Sequence, residues 1–361
     1  MGIKYVLIGC GRIAPAHINA ALKNQDQFSI CAVCDTDKSA ADALLSKFNL
    51  SGRVKIYTDY REMISSEKPD IAAVATESGY HAAIALYCIE QGVNVMIEKP
   101  VALSMQDARR MNDAAKEHSV LIATCHQNRF NPPVQMIKKA VDDGRFGKIS
   151  HASVHIRWNR GKNYYKSAVW RGTWRLDGGA LMNQCIHAID VLRWVLGGDV
   201  EEICAYTENT FHPYIEAEDL GVAIVRFKNG ALATIEGSTN VYPNDYEETL
   251  SIFGENGSAK IGGLCLNRLE HWDFKDIKPD ETQQLKQQNE NPPDVYGFGH
   301  ISLYRDVANA VLSGGVPYVD GAEGMRALEM ILAIYESARQ GSPVKFPLGS
   351  ISTLDYEGMF K

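Results

Sequence analysis

The stretch KYVLIGCGRIAPAH, residues 4 to 17, constrains the fold more than any other part of the chain. A short apolar run leads into G-x-G-x-x-A (Gly9, Gly11, Ala14) and then into a helical pattern. In that arrangement Gly9 permits the tight turn and Gly11 lets backbone approach a pyrophosphate, while the helix start supplies amide hydrogens to it. Such a motif is weak alone. Here it follows a strand, opens a helix, and precedes Asp35 at the end of the next apolar run, 26 residues after Gly9, which is the context of a dinucleotide fingerprint. Asp35 is placed to bind the adenosine ribose. With Asp37 nearby and no arginine between them, a 2′-phosphate would be repelled, so NAD is expected over NADP.

The same rhythm continues. SICAVCD, IAAVAT and NVMIEKP read as strands apolar nearly throughout, separated by helices around PAHINAALKN, SAADALLSKF and GYHAAIALYCIEQG, and another helix starts at Ser104 with Asp107 in capping position and ends near Ser119. Strands covered on both faces and alternating with helices make a doubly wound parallel sheet. After VLIATCHQNRF the period changes. One helix (PVQMIKKAVDDG) precedes strands of period two, ISHASVHIRWN, EEICAYTENTF, GVAIVRFKNGALATIEGST, ETLSIFGENGSAKIG and LNRLEHWDF, with hairpin turns at Asn229-Gly230 and Asn256-Gly257.

The expected fold class is therefore α/β: an N-terminal Rossmann doubly wound sheet over residues 1–127, then a C-terminal α+β domain over 128–361 with a large, open-faced, mainly antiparallel sheet. The closing helices SLYRDVANAVLSG and GAEGMRALEMILAIYESARQG would cover one face. The uncovered face is expected to bury itself against another copy, as a homodimer or homotetramer. The polar segment from Lys275 to Pro293 reads as a loop.

Composition narrows the function classes. A net charge of -7 argues against a general nucleic-acid binder. No uncharged apolar run reaches the roughly 18 residues of a membrane span, YVLIG is too short for a secretory core, and Val6 stands where a myristoylation signal wants Ser or Thr. A cytoplasmic protein without membrane or nucleic-acid partners is expected. The 8 cysteines are scattered through apolar segments, and even Cys31-x-x-Cys34 lies in a strand pattern, so they read as reduced packing residues.

Three features carry candidate chemistry. Lys99, directly before Pro100 at a strand end, cannot begin a regular helical turn, and an ammonium in a crevice there has acid-base use. LDGGALMNQCIHAID (176–190) reads as a helix bearing Asn183, His187 and Asp190 on one side, with a glycine pair allowing close approach to the crevice and Asp190 structural. Between Arg157 and Asp177 stand six basic residues and one acid, a local +5, with Trp158, Tyr164, Tyr165, Trp170 and Trp174 among them. Such a segment suits an aromatic, polyanionic ligand. His151 and His155 share a strand face without a Cys or carboxylate at metal spacing, so no metal is expected.

In order along the chain, GCGRIA, ATESGYH, EKP, HQNRF and GGALMNQCIHAID resemble the glucose-fructose oxidoreductase/inositol dehydrogenase (Gfo/Idh/MocA) family. Within it, residues 157–197 and DVYGFGH (294–300) are most similar to UDP-N-acetylglucosaminuronate 3-dehydrogenases of bacterial surface-polysaccharide (lipopolysaccharide, O-antigen) synthesis. The resemblance implies hydride transfer from a sugar carbon to NAD, with Lys99 and His187 managing the hydroxyl proton. It implies cofactor contacts from Gly9, Gly11, Arg12, Ile13, Asp35, Thr76, His81, Glu98, Lys99, Gln127, Trp170 and Arg171, with Glu98 near the nicotinamide ribose. The substrate, a UDP-linked sugar acid, falls to Asn183, Arg157, Arg160, Tyr164, Tyr165 and His300.

One departure matters. Many members carry Asp four residues before the histidine, where this chain has Asn183. A neutral amide does not raise the histidine pKa as a carboxylate would, which favours His187 as general base and Lys99 as the group polarising the hydroxyl; the reverse assignment stays open. Two other functions also stand at this level: a family oxidoreductase acting on another nucleotide sugar, free sugar or inositol, and an NAD-binding regulator without turnover.

Overall fold

The computed structural model describes residues 2–276, 281, 297 and 299–360. All but residues 275, 276 and 281 of the expected 275–293 loop, and part of the DVYGFGH motif, thus lie outside the described residues.

The chain forms two compact units, 1–126 with 300–325, and 127–299 with 326–361. The first contains β1 (Ile3–Ile8), α1 (Ala14–Lys23), β2 (Phe28–Cys34), α2 (Lys38–Lys47), β3 (Lys55–Tyr57), α3 (Tyr60–Glu67), β4 (Ile71–Val74), α4 (His81–Glu90), β5 (Asn94–Ile97), α5 (Met105–Glu117) and β6 (Ile122–Thr124). Its six strands are all parallel in the order β3-β2-β1-β4-β5-β6. β4 and β6 are buried at every residue, as strands with helices on both faces must be. Ser104 caps α5, accepting the Asp107 amide hydrogen at 3.2 Å. The strand-helix pair β3 and α3 is not announced by the apolar pattern, because β3 has three residues, none fully buried.

Residues 300–325 pack with this first unit, whereas a division at 127/128 puts them with the second. The reason is local. Asn24 donates to the Ile301 carbonyl at 3.1 Å, Tyr304 hydrogen-bonds Tyr5, and the Thr124 amide donates to the Val319 carbonyl at 2.8 Å.

The second unit holds α6 (Pro132–Asp142), β7 (Ile149–Arg157), α7 (Lys162–Lys166), α8 (Ile186–Val195), β8 (Val200–Glu208), β9 (Leu220–Phe227), β10 (Leu232–Ser238), β11 (Glu247–Gly254), β12 (Gly257–Gly262) and β13 (Arg268–Phe274). α9 (Gly299–Ser313) lies almost wholly in the first unit, α10 (Gly321–Gln340) contains the boundary at 325/326, and β14 (Val344–Lys345) closes the second sheet. That sheet runs β13-β12-β11-β7-β10-β9-β8-β14, antiparallel except for the β7-β10 pair. One face is buried through Ala152, Val154, Ile156, Ala223, Val225, Ala233 and Ile235. The opposite face exposes Tyr206, Val222, Ile224, Leu232 and Phe253. No helix among the described residues is long and apolar enough to cross a membrane, and the 8 cysteines are all unbridged.

Candidate active site

In the first unit the turn after β1 is built for close approach. Gly9 has φ +98°, and a Cβ there would meet the Ala75 carbonyl oxygen at 2.4 Å, so only glycine fits. A Cβ on Gly11 would meet nothing within 4 Å, which leaves that side of the turn open. α1 follows with Ile13 as its cap and no side-chain capping bond; Ala14 and Ala16 donate to the Gly11 and Ile13 carbonyls and Pro15 has no N–H, so the amides that suit an anion are those of the turn itself, at Arg12 and Ile13. Asp35 accepts the Cys10 amide hydrogen at 2.7 Å and the Asp37 amide hydrogen at 2.9 Å, bracing the turn from the end of β2. Asp37 caps α2 through the Ser39 amide. These residues fit a dinucleotide.

Farther along the same sheet edge, His81 is buried, with Nδ1 2.8 Å from the Pro100 carbonyl oxygen and Nε2 3.1 Å from that of Thr76. It ties the end of β4 to the segment after β5, and serves as a brace behind Lys99. Glu98 is also buried. Its Oε2 accepts the Lys99 amide hydrogen at 3.2 Å, and its Oε1 lies 3.1 Å from His17 Nε2 and 3.7 Å from His300 Nε2. Burial pushes the Glu98 carboxyl up, but the imidazoles of His17 and His300 outweigh it and hold it well below the usual range. His300, expected at the sugar, thus stands with Glu98. Cys125 completes a trio with His17 and Glu98 whose ligand-type atoms lie within 4.8 Å of one another. Burial and the Glu98 carboxylate push the Cys125 thiol well above its ordinary value.

In the second unit, residues Gln127–Phe130 form a short 3-10 turn. Gln127 Nε2 lies 3.3 Å from His187 Nε2; an amide nitrogen only donates, so in this pair the imidazole nitrogen accepts. Arg129 grips Asp190 with two hydrogen bonds of 2.7 and 2.6 Å, both side chains fully buried, and lies over the Trp194 ring at 5.1 Å. This pair fastens the Gln127 turn to α8 and gives Asp190 its structural part.

The opening of that helix departs from expectation. Leu181–Cys185 is a π-helical turn, so Asn183 and His187 do not follow a regular helical stripe. Gly221 and Gly237, paired across β9 and β10, let it settle onto the sheet, since Cβ atoms there would meet Leu181 at 2.5 Å. The pair Gly178-Gly179 makes room for Met182 and Glu218: a Cβ on Gly179 would lie 1.6 Å from a Glu218 carboxylate oxygen. Asn183 donates to Asp177 and accepts from Gln184 at 2.7 Å, so a carboxylate stands against the asparagine after all.

The basic segment divides. Arg160 donates to Gln184 at 2.7 Å and Asp245 at 2.8 Å, and Arg171 donates to the Tyr164 hydroxyl at 2.6 Å while lying over Tyr164 and Trp170. Gln184 also donates to Tyr164 at 2.8 Å. The structure thus joins Asn183, Gln184, Arg160, Tyr164, Arg171 and Trp170. It does not join Arg157, which points to the open sheet face and pairs with Glu236 and Glu247. Tyr165, Trp158 and Trp174 are buried core residues, Tyr165 edge-on to Tyr164 and against His212, Trp158 beneath Arg160, and Trp174 against Tyr335. With Arg157 and Arg160 paired to carboxylates, the +5 segment is less bare than its sequence suggests.

Sequence reasoning missed His17, Asp177, Gln184, Glu218 and Glu248. Burial pushes Glu218 and Glu248 up to about 8. Glu218 accepts the Leu181 amide hydrogen at 2.8 Å and the Tyr335 hydroxyl at 3.0 Å. Neither Glu248 oxygen has a hydrogen-bond partner among the described residues. Strand parity carries the signal for Glu248, which is in phase with Leu250 and Ile252 on the helix-covered face.

Comparison with known proteins fixes the family. The oxidoreductase family's NAD-binding Rossmann fold (GFO_IDH_MocA) matches residues 3–126, and its C-terminal alpha/beta domain matches 138–346. The chain belongs to the Gfo/Idh/MocA oxidoreductase family. NAD is its cofactor. Among solved Gfo/Idh/MocA-like structures, the WlbA dehydrogenase of Bordetella pertussis, determined with NADH and UDP-GlcNAcA, is 37% identical, covers 96% of this chain and 99% of its own, and has a TM-score of 0.90. Its Chromobacterium violaceum counterpart, with the same ligands, gives 36%, 96%, 97% and 0.88. Myo-inositol 2-dehydrogenase of Thermotoga maritima is 27% identical over 94% of this chain and 97% of its own.

Proposed function

We propose that this oxidoreductase uses NAD to oxidise the 3-hydroxyl of UDP-N-acetylglucosaminuronic acid to the 3-oxo sugar nucleotide, within bacterial surface-polysaccharide synthesis. One observation carries the reading: identity of 37% and 36% to two dehydrogenases crystallised with that nucleotide sugar, against 27% to the inositol enzyme. Bound NAD supplies the hydride acceptor. His187 takes the hydroxyl proton on Nε2 as the substrate hydroxyl displaces the long Gln127 hydrogen bond there, and Lys99 donates a hydrogen bond to the same oxygen as it becomes a carbonyl. Arg12, Ile13, Asp35 and Thr76 serve the cofactor. Asn183, Arg160 and Tyr164 serve the sugar nucleotide, and Arg171, lying over Tyr164 and Trp170, serves the cofactor together with Trp170.

Purified protein with NAD and UDP-N-acetylglucosaminuronate should generate NADH absorbance, and adding 2-oxoglutarate tests whether tightly held cofactor needs a second oxidant. Turnover on inositol but not on the nucleotide sugar, under both conditions, would overturn the substrate assignment. Absence of turnover on any sugar would favour a regulator.

The reading extends to a homodimer or homotetramer through the open sheet face, supported by the exposed Tyr206, Val222, Ile224, Leu232 and Phe253. It also places the protein in the cytoplasm, which the unbridged cysteines support.

A further inference from the structure

The end of β5 is backed by a hydrogen-bonded run with a single direction. Glu98 Oε1 is an acceptor, so His17 Nε2, 3.1 Å away, carries the hydrogen. Burial pushes the His17 imidazole down, against the pull of Glu98, which keeps it neutral. A neutral ring with hydrogen on Nε2 must accept at Nδ1, and the Tyr304 hydroxyl, 2.7 Å away, donates there. Tyr304 oxygen in turn accepts from the Tyr5 hydroxyl at 2.8 Å. Tyr5, His17 and Tyr304 are each fully buried. The run therefore has one consistent assignment of hydrogens, and it ends on the residue preceding Lys99.

We propose that His17 is a positioning residue: the run Tyr5 to Tyr304 to His17 fixes the Glu98 carboxylate as an oriented acceptor at the strand end where the nicotinamide half of the cofactor is bound. In the order β3-β2-β1-β4-β5-β6 the Gly9 and Asp35 side takes the adenosine half, which leaves the β4-β5 side to the nicotinamide half. The groups facing Glu98 are His17 from α1, the Lys99 amide beyond β5, Cys125 beyond β6, and His300 and Tyr304 from α9, with the His81 charge from α4 acting at longer range. Of these, only His17 and the Lys99 amide reach the carboxylate through N–H contacts within 3.2 Å. Removing the imidazole takes away the strongest opponent of burial and leaves His300 as the one imidazole opposing it, so the Glu98 carboxyl moves up toward protonation and its acceptor character weakens as pH falls.

The inference rests on dinucleotide binding and not on the identity of the sugar, so NADH fluorescence titration tests it without turnover. Wild-type affinity should be flat between about pH 6 and 9, whereas His17→Ala should bind about tenfold more weakly at the acid end and approach wild type at the alkaline end. His17→Gln, whose amide still donates to Oε1, should recover most of the loss. Tyr304→Phe, which leaves His17 in place, should weaken acid-end binding about threefold and carries the test if His17→Ala does not fold. Wild-type affinity for His17→Ala, or for Tyr304→Phe, across the range would overturn the proposal. So would an equal loss at every pH that His17→Gln does not relieve.

Discussion

Two carboxylates in each unit stand in opposite conditions. In the first, Asp35 uses both carboxylate oxygens on backbone amides, and Glu98 uses both on His17 and Lys99. In the second, Glu248 is buried with neither oxygen hydrogen-bonded among the described residues, and Glu218 Oε2 is in the same position. A fully bonded site is rigid and serves one fixed ligand. A site with unmet hydrogen-bonding capacity costs stability and has room to recognise. The carboxylates at the dinucleotide turn and beside Lys99 are thus fixed by the fold itself, whereas unmet carboxylate oxygens lie in the unit that carries His187.

The largest test of that contrast is kinetic. His187→Ala and Lys99→Ala should each lower turnover by about a thousandfold, with NADH affinity nearly unchanged in fluorescence titrations. Near-normal turnover in either variant would remove that residue from proton handling. Arg129→Ala comes next. It removes both short bonds to the buried Asp190 carboxylate, which Arg193 at 3.8 Å does not replace, and should cost about 3–5 kcal/mol in denaturant unfolding, while Arg129→Met with Asp190→Leu should restore most of it.

Glu248 gives the third test. Its folded carboxyl holds a proton up to about 8, while an unfolded glutamate releases it near 4.5. The native state binds more protons across that window, so stability falls as pH rises from about 4.5 to about 8. Glu248→Gln should flatten the decline, raising Tm at about pH 8 more than at about pH 5 in thermal melts; parallel curves would show that another group, such as Glu218, carries it. Asn183→Asp has the smallest effect. Because Asp177 already accepts from Asn183, a second carboxylate would share a proton with it, and the pH-rate profile should move by less than about one unit. A full-unit upward shift would show that residue 183 acts on His187 directly.

The same contrast governs what the sequence discloses. Gly9, Gly11, Asp35 and the buried strands are local, each role following from a residue and its immediate neighbours, and the Rossmann order follows from them. The antiparallel sheet is also legible, through alternation and the two Asn-Gly turns. The proposed sugar side is not, because its arginines find partners remote in sequence: Arg160 meets Asp245, and Arg157 is drawn to Glu236 and Glu247 on the open sheet face. Spacing cannot reveal that Trp158, Tyr165 and Trp174 are core, since stacking platforms and packed aromatics share the same residue types. Nor does it reveal that residues 300–325 return to the first unit, which depends on Tyr304 finding Tyr5 across 299 positions.

The π turn at Leu181–Cys185 has a consequence for how such an enzyme changes over time. A π turn holds one residue more per turn than an α-helix, so it acts as a phase shifter between the glycine pair on its N-terminal side and α8 on its C-terminal side. Leu181 and Cys185 are committed to the Gly221 and Gly237 groove, while His187 begins a new helical phase. Packing before the shifter and chemistry after it can therefore vary separately, and a one-residue deletion inside it would rotate the two against each other by about 100°.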